Sequence, residues 1–348
     1  MYDTLPVQGF RCAFNEPVRE LWQQIVRHSR SASDGGVAVR VMVTGASGFV
    51  GRHVAAELAR AGFVLTLVGG TRVPSIPSEP GTSSNLHQAH AVGDMSDCDL
   101  SLLLNGCDAV VHAAGRAHVF KDTSTDVKTA YHRANAEAVA RLCAAMAQAN
   151  VRRLVLISSI AAQLMISAYG RSKRAGEDIA LAHPDIDVVA LRPPLIYGPG
   201  GPGNLGRLIG LIRRGLPLPF ASVDNRRSLC AISNIAQLVC QILKTPQPQT
   251  GVYEVCDSTP VSLPQIVHTL ARGLGRPARL VPFPTVMLAL GVGVLSRSIS
   301  ESLFGNLVLD AAAASKAFDW TPTVETLQGL EDVGAFAKIT SAHAPVAE

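Results

Sequence analysis

Tyr169 and Lys173 are the two residues of this chain whose types and spacing say most about chemistry. Four residues apart on a helix, they lie on one face, one turn from each other. A lysine ammonium that close to a phenol favours the phenolate. Such a pair can give or take a proton at a carbinol or carbonyl carbon while a neighbouring cofactor moves a hydride. Y-x-x-x-K alone is common in helices, so its setting carries the weight. It follows a glycine loop by about 125 residues and a serine pair, Ser158-Ser159, by about ten.

The loop reads Thr44-Gly45-Ala46-Ser47-Gly48-Phe49-Val50-Gly51, between an apolar strand and a helix. Its spacing is G-x-x-G-x-x-G, with Gly45 for the tight turn, Gly48 for approach to a pyrophosphate and Gly51 for helix–strand packing. The helix N-terminus offers amide N–H groups and a positive dipole end to phosphate. Small residues in His112-Ala113-Ala114-Gly115 let backbone pass close to a flat ring or ribose. Asp94 follows the third strand, where a carboxylate can accept from an adenine amine or simply be solvated. After the second strand stands Gly69-Gly70-Thr71-Arg72, without the acidic residue that binds a ribose 2′-hydroxyl. Arg72 suits a 2′-phosphate, which favours NADP over NAD.

Apolar runs alternating with helical patterns must position these groups. Strands are expected at Val39–Val43, Val64–Val68, His90–Val92, Ala109–His112, Leu154–Ser158 and Val188–Leu191. Helices are expected at Phe49–Ala61, Asp126–Ala149 as one long element, and Ala168–Ala182. Continuous β-branched runs between helices specify a parallel sheet covered on both faces. The fold class is α/β, a Rossmann doubly wound parallel sheet with a smaller, mixed C-terminal substrate domain. The dinucleotide-binding domain is placed at 37–194 and the substrate-binding part at 195–340. In the latter, helices are expected near Ser233–Leu243, Leu263–Leu274 and Val286–Leu295. Residues 1–36 read as an added or disordered segment, or as an artefact of start assignment, with a short amphipathic helix at Glu16–Ser29.

The composition, 47% hydrophobic and 17% charged, is that of a globular protein. A net charge of +4 and no basic block interleaved with aromatics argue against nucleic acid. Seven cysteines without C-x-x-C or metal spacing read as reduced thiols in a cytoplasmic protein with no metal site. No signal peptide or transmembrane run is visible. The longest apolar run, Val286–Leu295, reads as a packed helix or lid, with a membrane-surface contact as the alternative.

Across about residues 38–335 the chain resembles the extended short-chain dehydrogenase/reductases of the NAD-dependent epimerase/dehydratase family. The resemblance rests on the glycine loop, His112–Gly115, Ser159, Tyr169–Lys173 and Arg192-Pro-Pro-Leu-Ile-Tyr-Gly-Pro-Gly200, in that order. Ser158-Ser159-Ile160, Gly215-Leu-Pro-Leu-Pro219 and Asn225-Arg226-Arg227-Ser228 are similar to the branch that makes UDP-N-acetyl-6-deoxyhexosamines for bacterial O-antigen polysaccharides. That resemblance implies Tyr169 as acid/base, Lys173 on the nicotinamide ribose, and Ser159 rather than Ser158 on the sugar C4 oxygen. It implies Asn135 as a structural asparagine near the site. Gly45, Ser47, Gly48, Phe49, Val50, Gly51, Arg72, Asp94, Met95, Ala113, Ala114, Gly115, Tyr169, Lys173 and Pro194 would contact the cofactor. Asn204 and Arg227 would contact the nucleotide diphosphate of a UDP-sugar, and a homodimer would form through the helices near 126–149 and 169–182. The implied activity is 4-keto reduction or 4-epimerisation, with a non-catalytic NAD(P) sensor or scaffold as the alternative. One departure stands out: only Ile160–Ala168 separate Ser159 from Tyr169, where the branch has some two dozen residues. That predicts a more open site, a changed substrate or an impaired enzyme.

Overall fold

Val41–Val43 and Val64–Val68 are buried on both alternating faces and, Thr66 apart, apolar. They form the centre of a parallel sheet. A computed structural model describes residues 39–75, 87–117, 126–288, 290 and 303–342. The expected helix at Glu16–Ser29, all of 1–36 and most of the run after Leu288 lie outside these residues. The strands are β1 (Arg40–Thr44), β2 (Val64–Gly69), β3 (Gln88–Ala91), β4 (Ala109–His112), β5 (Arg153–Ile157), β6 (Asp187–Arg192), β7 (Leu195–Tyr197), β8 (Leu229–Ala231) and β9 (Gly251–Glu254). Seven of them make one sheet in the order β3-β2-β1-β4-β5-β6-β9, the doubly wound order with one strand added at the end. The ladders of β1 with β2 and β4, of β2 with β3, of β4 with β5 and of β6 with β9 are parallel. β9 was not foreseen; its Gly251-Val-Tyr-Glu is too short and too mixed to stand out as a strand.

The chain divides into two compact units: the described residues up to Leu156 with Ser172–Val188, and Ile157–Arg171 with the described residues from Val189 on. In the first, α1 (Phe49–Arg60) and α2 (Ser101–Leu104) precede a region expected as one helix from 126 to 149. It is not one helix. α3 (Val127–His132) passes through a π-helical turn, Arg133–Glu137, into α4 (Ala138–Gln148). A π turn inserts one extra residue and is common at functional sites. Here it carries Asn135, 2% exposed, into the interior. Periodicity conceals such a turn because the apolar pattern resumes on its far side.

The second unit holds α5 (Ala161–Leu164), the start of α6 (Ala168–Leu181), α7 (Asn204–Arg213), α8 (Ile232–Lys244), α9 (Leu263–Leu274), α10 (Ala312–Phe318) and α11 (Thr326–Ala342). β7 and β8 form a separate parallel pair. Leu263, Ile266, Val267, Leu270 and Leu274 of α9 pack with Leu330 and Val333 of α11 in its apolar core. A Cβ on Gly273 would sit 2.1 Å from the Glu331 carbonyl oxygen, so the two helices meet at backbone distance.

A polar knot closes this unit. Asn234 donates to Asp257 Oδ1 (2.7 Å) and the Val324 carbonyl (2.9 Å), and accepts from the amides of Thr323 (3.1 Å) and Val324 (3.0 Å). Asp257 also accepts from the Tyr197 hydroxyl (2.8 Å) and the Ala231 amide (2.9 Å). Burial pushes the Asp257 carboxyl upward, and these three donors pull against it. Asn234→Ala strands several buried groups at once, so an equilibrium urea titration is expected to show a loss of about 3 kcal/mol.

Candidate functional site

The glycine loop is closed to side chains on its inner side. Gly45 has φ +67°, and a Cβ there would lie 2.5 Å from the Ala114 amide nitrogen and 2.7 Å from the Ala113 carbonyl oxygen. A Cβ on Gly51 would lie 2.2 Å from the Gly45 carbonyl oxygen. The segments after β1 and β4 therefore run side by side, as β1–β4 pairing of Thr44 with His112 requires. Gly48 caps α1 without a side-chain oxygen. A helix start of that kind, among small residues at the carboxyl ends of parallel strands, fits a dinucleotide pyrophosphate. Ser47 and Gly48 are exposed, Phe49 and Val50 half-buried.

Asn135 sets the next layer. Its Oδ1 accepts from the Arg116 amide (2.9 Å), and its Nδ2 donates to the Arg116 carbonyl (3.1 Å) and Ser172 Oγ (2.9 Å). A Cβ on Gly176 would stand 2.2 Å from the Asn135 carbonyl oxygen, so α6 lies directly on the π turn. Lys173 follows Ser172, and its Nζ lies 3.7 Å from where a Gly115 Cβ would be. Burial pushes the Lys173 ammonium down to about 8, against the pull of the Glu177 carboxylate one turn on. At pH 7 about nine-tenths of it stays protonated. His112 is buried, and burial with the Lys173 charge lowers it to about 3, so it is a neutral imidazole. Its Nδ1 bonds Thr44 Oγ1 (2.8 Å), while Nε2 has no hydrogen-bond partner among the described residues.

The remaining cofactor candidates of this unit are more peripheral. Arg72 is exposed just past β2, where the chain folds back; a Cβ on Gly69 would meet the Arg72 carbonyl at 2.2 Å. Met95 is buried. Asp94 Oδ1 accepts from the amide (2.9 Å) and hydroxyl (2.8 Å) of Ser96, and Oδ2 faces Arg133 Nε at 3.2 Å. Burial opposes the charge on Asp94, but these partners hold its carboxyl below the usual range.

In the second unit, Ser158 is buried with its hydroxyl unpartnered among the described residues. Ser159 Oγ accepts from the Ala161 amide (3.2 Å) and so begins α5. Met165, at φ +51°, ends α5 in the left-handed region. Arg171 Nη1 donates to the carbonyls of Met165 (3.1 Å) and Ile166 (3.2 Å), and the Gly170 amide to Ser167 Oγ (3.0 Å). Arg192 reaches Gln163 Oε1 at 3.1 Å. Nine residues thus make an ordered connection between Ser159 and a half-buried Tyr169. Its tip leaves Leu164, Met165 and Ile166 exposed.

Pro194 is buried between β6 and β7. Asn204 is exposed at the start of α7, and half-buried Arg227 donates to the Gly305 carbonyl at 2.8 Å. Glu177, Ser172 and His112 went unassigned from sequence, although Glu177 repeats the i, i+4 spacing from Lys173 that marks a shared face. Among the described residues, no three His, Cys, Asp or Glu side chains are grouped to hold a metal ion.

The model of the NAD dependent epimerase/dehydratase family matches residues 41–256. The chain is 30% identical over 310 residues to the UDP-glucose 4-epimerase of Vibrio cholerae, covering 83% of this chain and 92% of the relative. It is 31% identical over 294 residues to the ceramide reductase of Caulobacter vibrioides, covering 81% and 86%. Among solved structures, MoeE5 in complex with UDP-glucose and NAD has the same fold, with TM-score 0.70 and 24% identity over 87% of this chain and 99% of the other. Gly51→Val forces the loop off α1, and calorimetry with NADH and NADPH is expected to show binding weakened by about tenfold or more.

Proposed function

Because the chain belongs to the NAD-dependent epimerase/dehydratase family, and so is an enzyme of that family, we propose that it acts at C4 of a UDP-sugar. What carries the reading is α6. It sets Tyr169 and Lys173 one turn apart, with Lys173 beside the backbone that Asn135 clamps at Arg116. The family's nicotinamide, when bound, supplies or takes the hydride. Tyr169 holds or releases the proton of the C4 oxygen, Ser159 orients that oxygen, and Lys173 keeps a positive charge near the phenol. Asn204 and Arg227 hold the diphosphate, a role that suits a guanidinium. The UDP-sugars named for the Vibrio relative and for MoeE5 support this substrate class. Exposed Arg72, with no carboxylate after β2, supports NADP.

A second reading rests on the exposed Leu164–Ile166 tip and the ceramide reductase relative: a lipid ketone in place of the sugar. One assay separates the possibilities. With UDP-4-keto-6-deoxy-N-acetylglucosamine and NADH or NADPH, steady loss of absorbance at 340 nm supports reduction, and the preferred nucleotide tests Arg72. Sugar turnover without that loss supports epimerisation. Turnover of a long-chain 3-keto lipid alone supports the second reading. Tyr169→Phe is expected to lower kcat by about a thousandfold with the fold intact by circular dichroism; unchanged turnover sinks the acid/base assignment.

The Lys173 charge gives a separate expectation. It is present below pH 8 and is lost as pH rises through its value of about 8. The kcat/KM profile should therefore fall above about pH 8, and Lys173→Met should lower activity and remove that limb.

A further inference from the structure

The second unit carries a surface that the proposed chemistry leaves unused. Residues 278–285 are strapped along 215–222 by backbone bonds: the Leu218 amide to the Arg279 carbonyl (2.8 Å), Val281 to Leu218 (2.9 Å), and Ala221 to Val281 (3.2 Å). Thr285 Oγ1 adds a bond to the Ser222 carbonyl (3.0 Å) and Arg279 Nη1 one to Gly215 (3.2 Å). Past this strap the chain turns helical at 285–288 and presents apolar side chains to solvent. Val286 is 71% exposed, Leu290 65% and Met287 60%, and Leu216, Val281 and Phe283 are exposed along the strap. The sequence continues apolar to Leu295. Around the strap stand exposed Arg213, Arg214, Arg276 and Arg279. Between residues 205 and 290 there are nine Arg and Lys against three acidic residues, exposed Asp224, Glu254 and buried Asp257, while Arg272 pairs with Glu331 of α11 at 2.6 Å.

Exposed apolar side chains beside a basic cluster are the surface chemistry of proteins that lie on anionic bilayers. We propose that this face docks on an anionic phospholipid surface, with Val286, Met287 and Leu290 entering the headgroup–acyl boundary and the arginines meeting lipid phosphates. A second copy of the chain fits less well. An isologous pair would set the same arginine cluster against itself. This inference does not depend on the UDP-sugar reading, since none of these residues is placed in the catalytic or substrate-binding set.

The test uses the purified full chain with sedimented vesicles of phosphatidylcholine alone or doped with phosphatidylglycerol. The expected result is binding to the anionic vesicles, weakened by added salt. Val286→Asp combined with Met287→Asp should weaken it by about tenfold or more, and Arg213→Gln with Arg214→Gln should weaken it while reducing the salt dependence. These side chains are exposed, and melting curves verify that both variants fold. Absence of binding to phosphatidylglycerol vesicles, or binding that neither variant changes, overturns the proposal. So does a dimer seen by analytical ultracentrifugation that Met287→Asp dissociates, because the face then belongs to a second copy.

Discussion

The burial of one ammonium group governs the rest of the first unit. Lys173 is 8% exposed, and burial pushes its ammonium down from 10.5 to about 8. Below both values the unfolded chain holds that proton more comfortably than the folded one. Folding at pH 7 therefore costs about 3 kcal/mol for this group, a cost that fades only as pH rises from about 8 toward 10.5. A fold keeps such a charge only if its surroundings are over-determined. The buried Glu177 carboxylate, one turn on, offsets part of the cost. The Asn135 clamp fixes the neighbouring Ser172, and Gly176 lets α6 lie against the π turn without a side chain between. His112 stays neutral in this setting, so it adds no second charge beside the first.

The same constraint accounts for the π turn. An uninterrupted helix from 127 to 148 would turn the residues after His132 by one position relative to the interior. The extra residue lets Asn135 point inward while Leu142 and Met146 of α4 stay in the core. Asn135 then bonds the backbone of Arg116 with both its amide atoms and still reaches Ser172. The backbone after β4 and Ser172 of α6 are therefore held by one side chain, which is how a loop can present small residues at a fixed place.

Much of this was legible in the sequence because it rests on local rules. Nearly continuous apolar runs between helical patterns favour buried parallel strands, so β1, β2 and β4 to β6 fell within a residue or two of their expected bounds. The glycine loop was legible because Gly45 and Gly51 leave room for no other residue. What escaped depends on tertiary contact. β9 exists because β6 offers it a ladder, from Val189 opposite Gly251 to Arg192 opposite Glu254. The partners of Asp94 on Ser96 and Arg133 arise from a turn and a helix that meet only in the fold. Glu177 showed its spacing but not its burial, and burial is what gives an acid there its electrostatic weight.

The connection between Ser159 and Tyr169 is short, but length limits only reach, and a strand end leading into the next helix needs little of it. Ser159 and the left-handed Met165 bound a single helical turn, and Arg171 ties that turn's end back onto the helix bearing Tyr169. A Cβ on Gly170 would strike the Ala161 carbonyl at 2.3 Å, so the start of α6 is seated directly on the connection. The connection is therefore a hydrogen-bonded border with an apolar tip. In the proposed reading, that hydrogen-bonded border would set the backbone of Ser159 and Tyr169 before a ligand arrives, which is the condition for orienting a reacting oxygen.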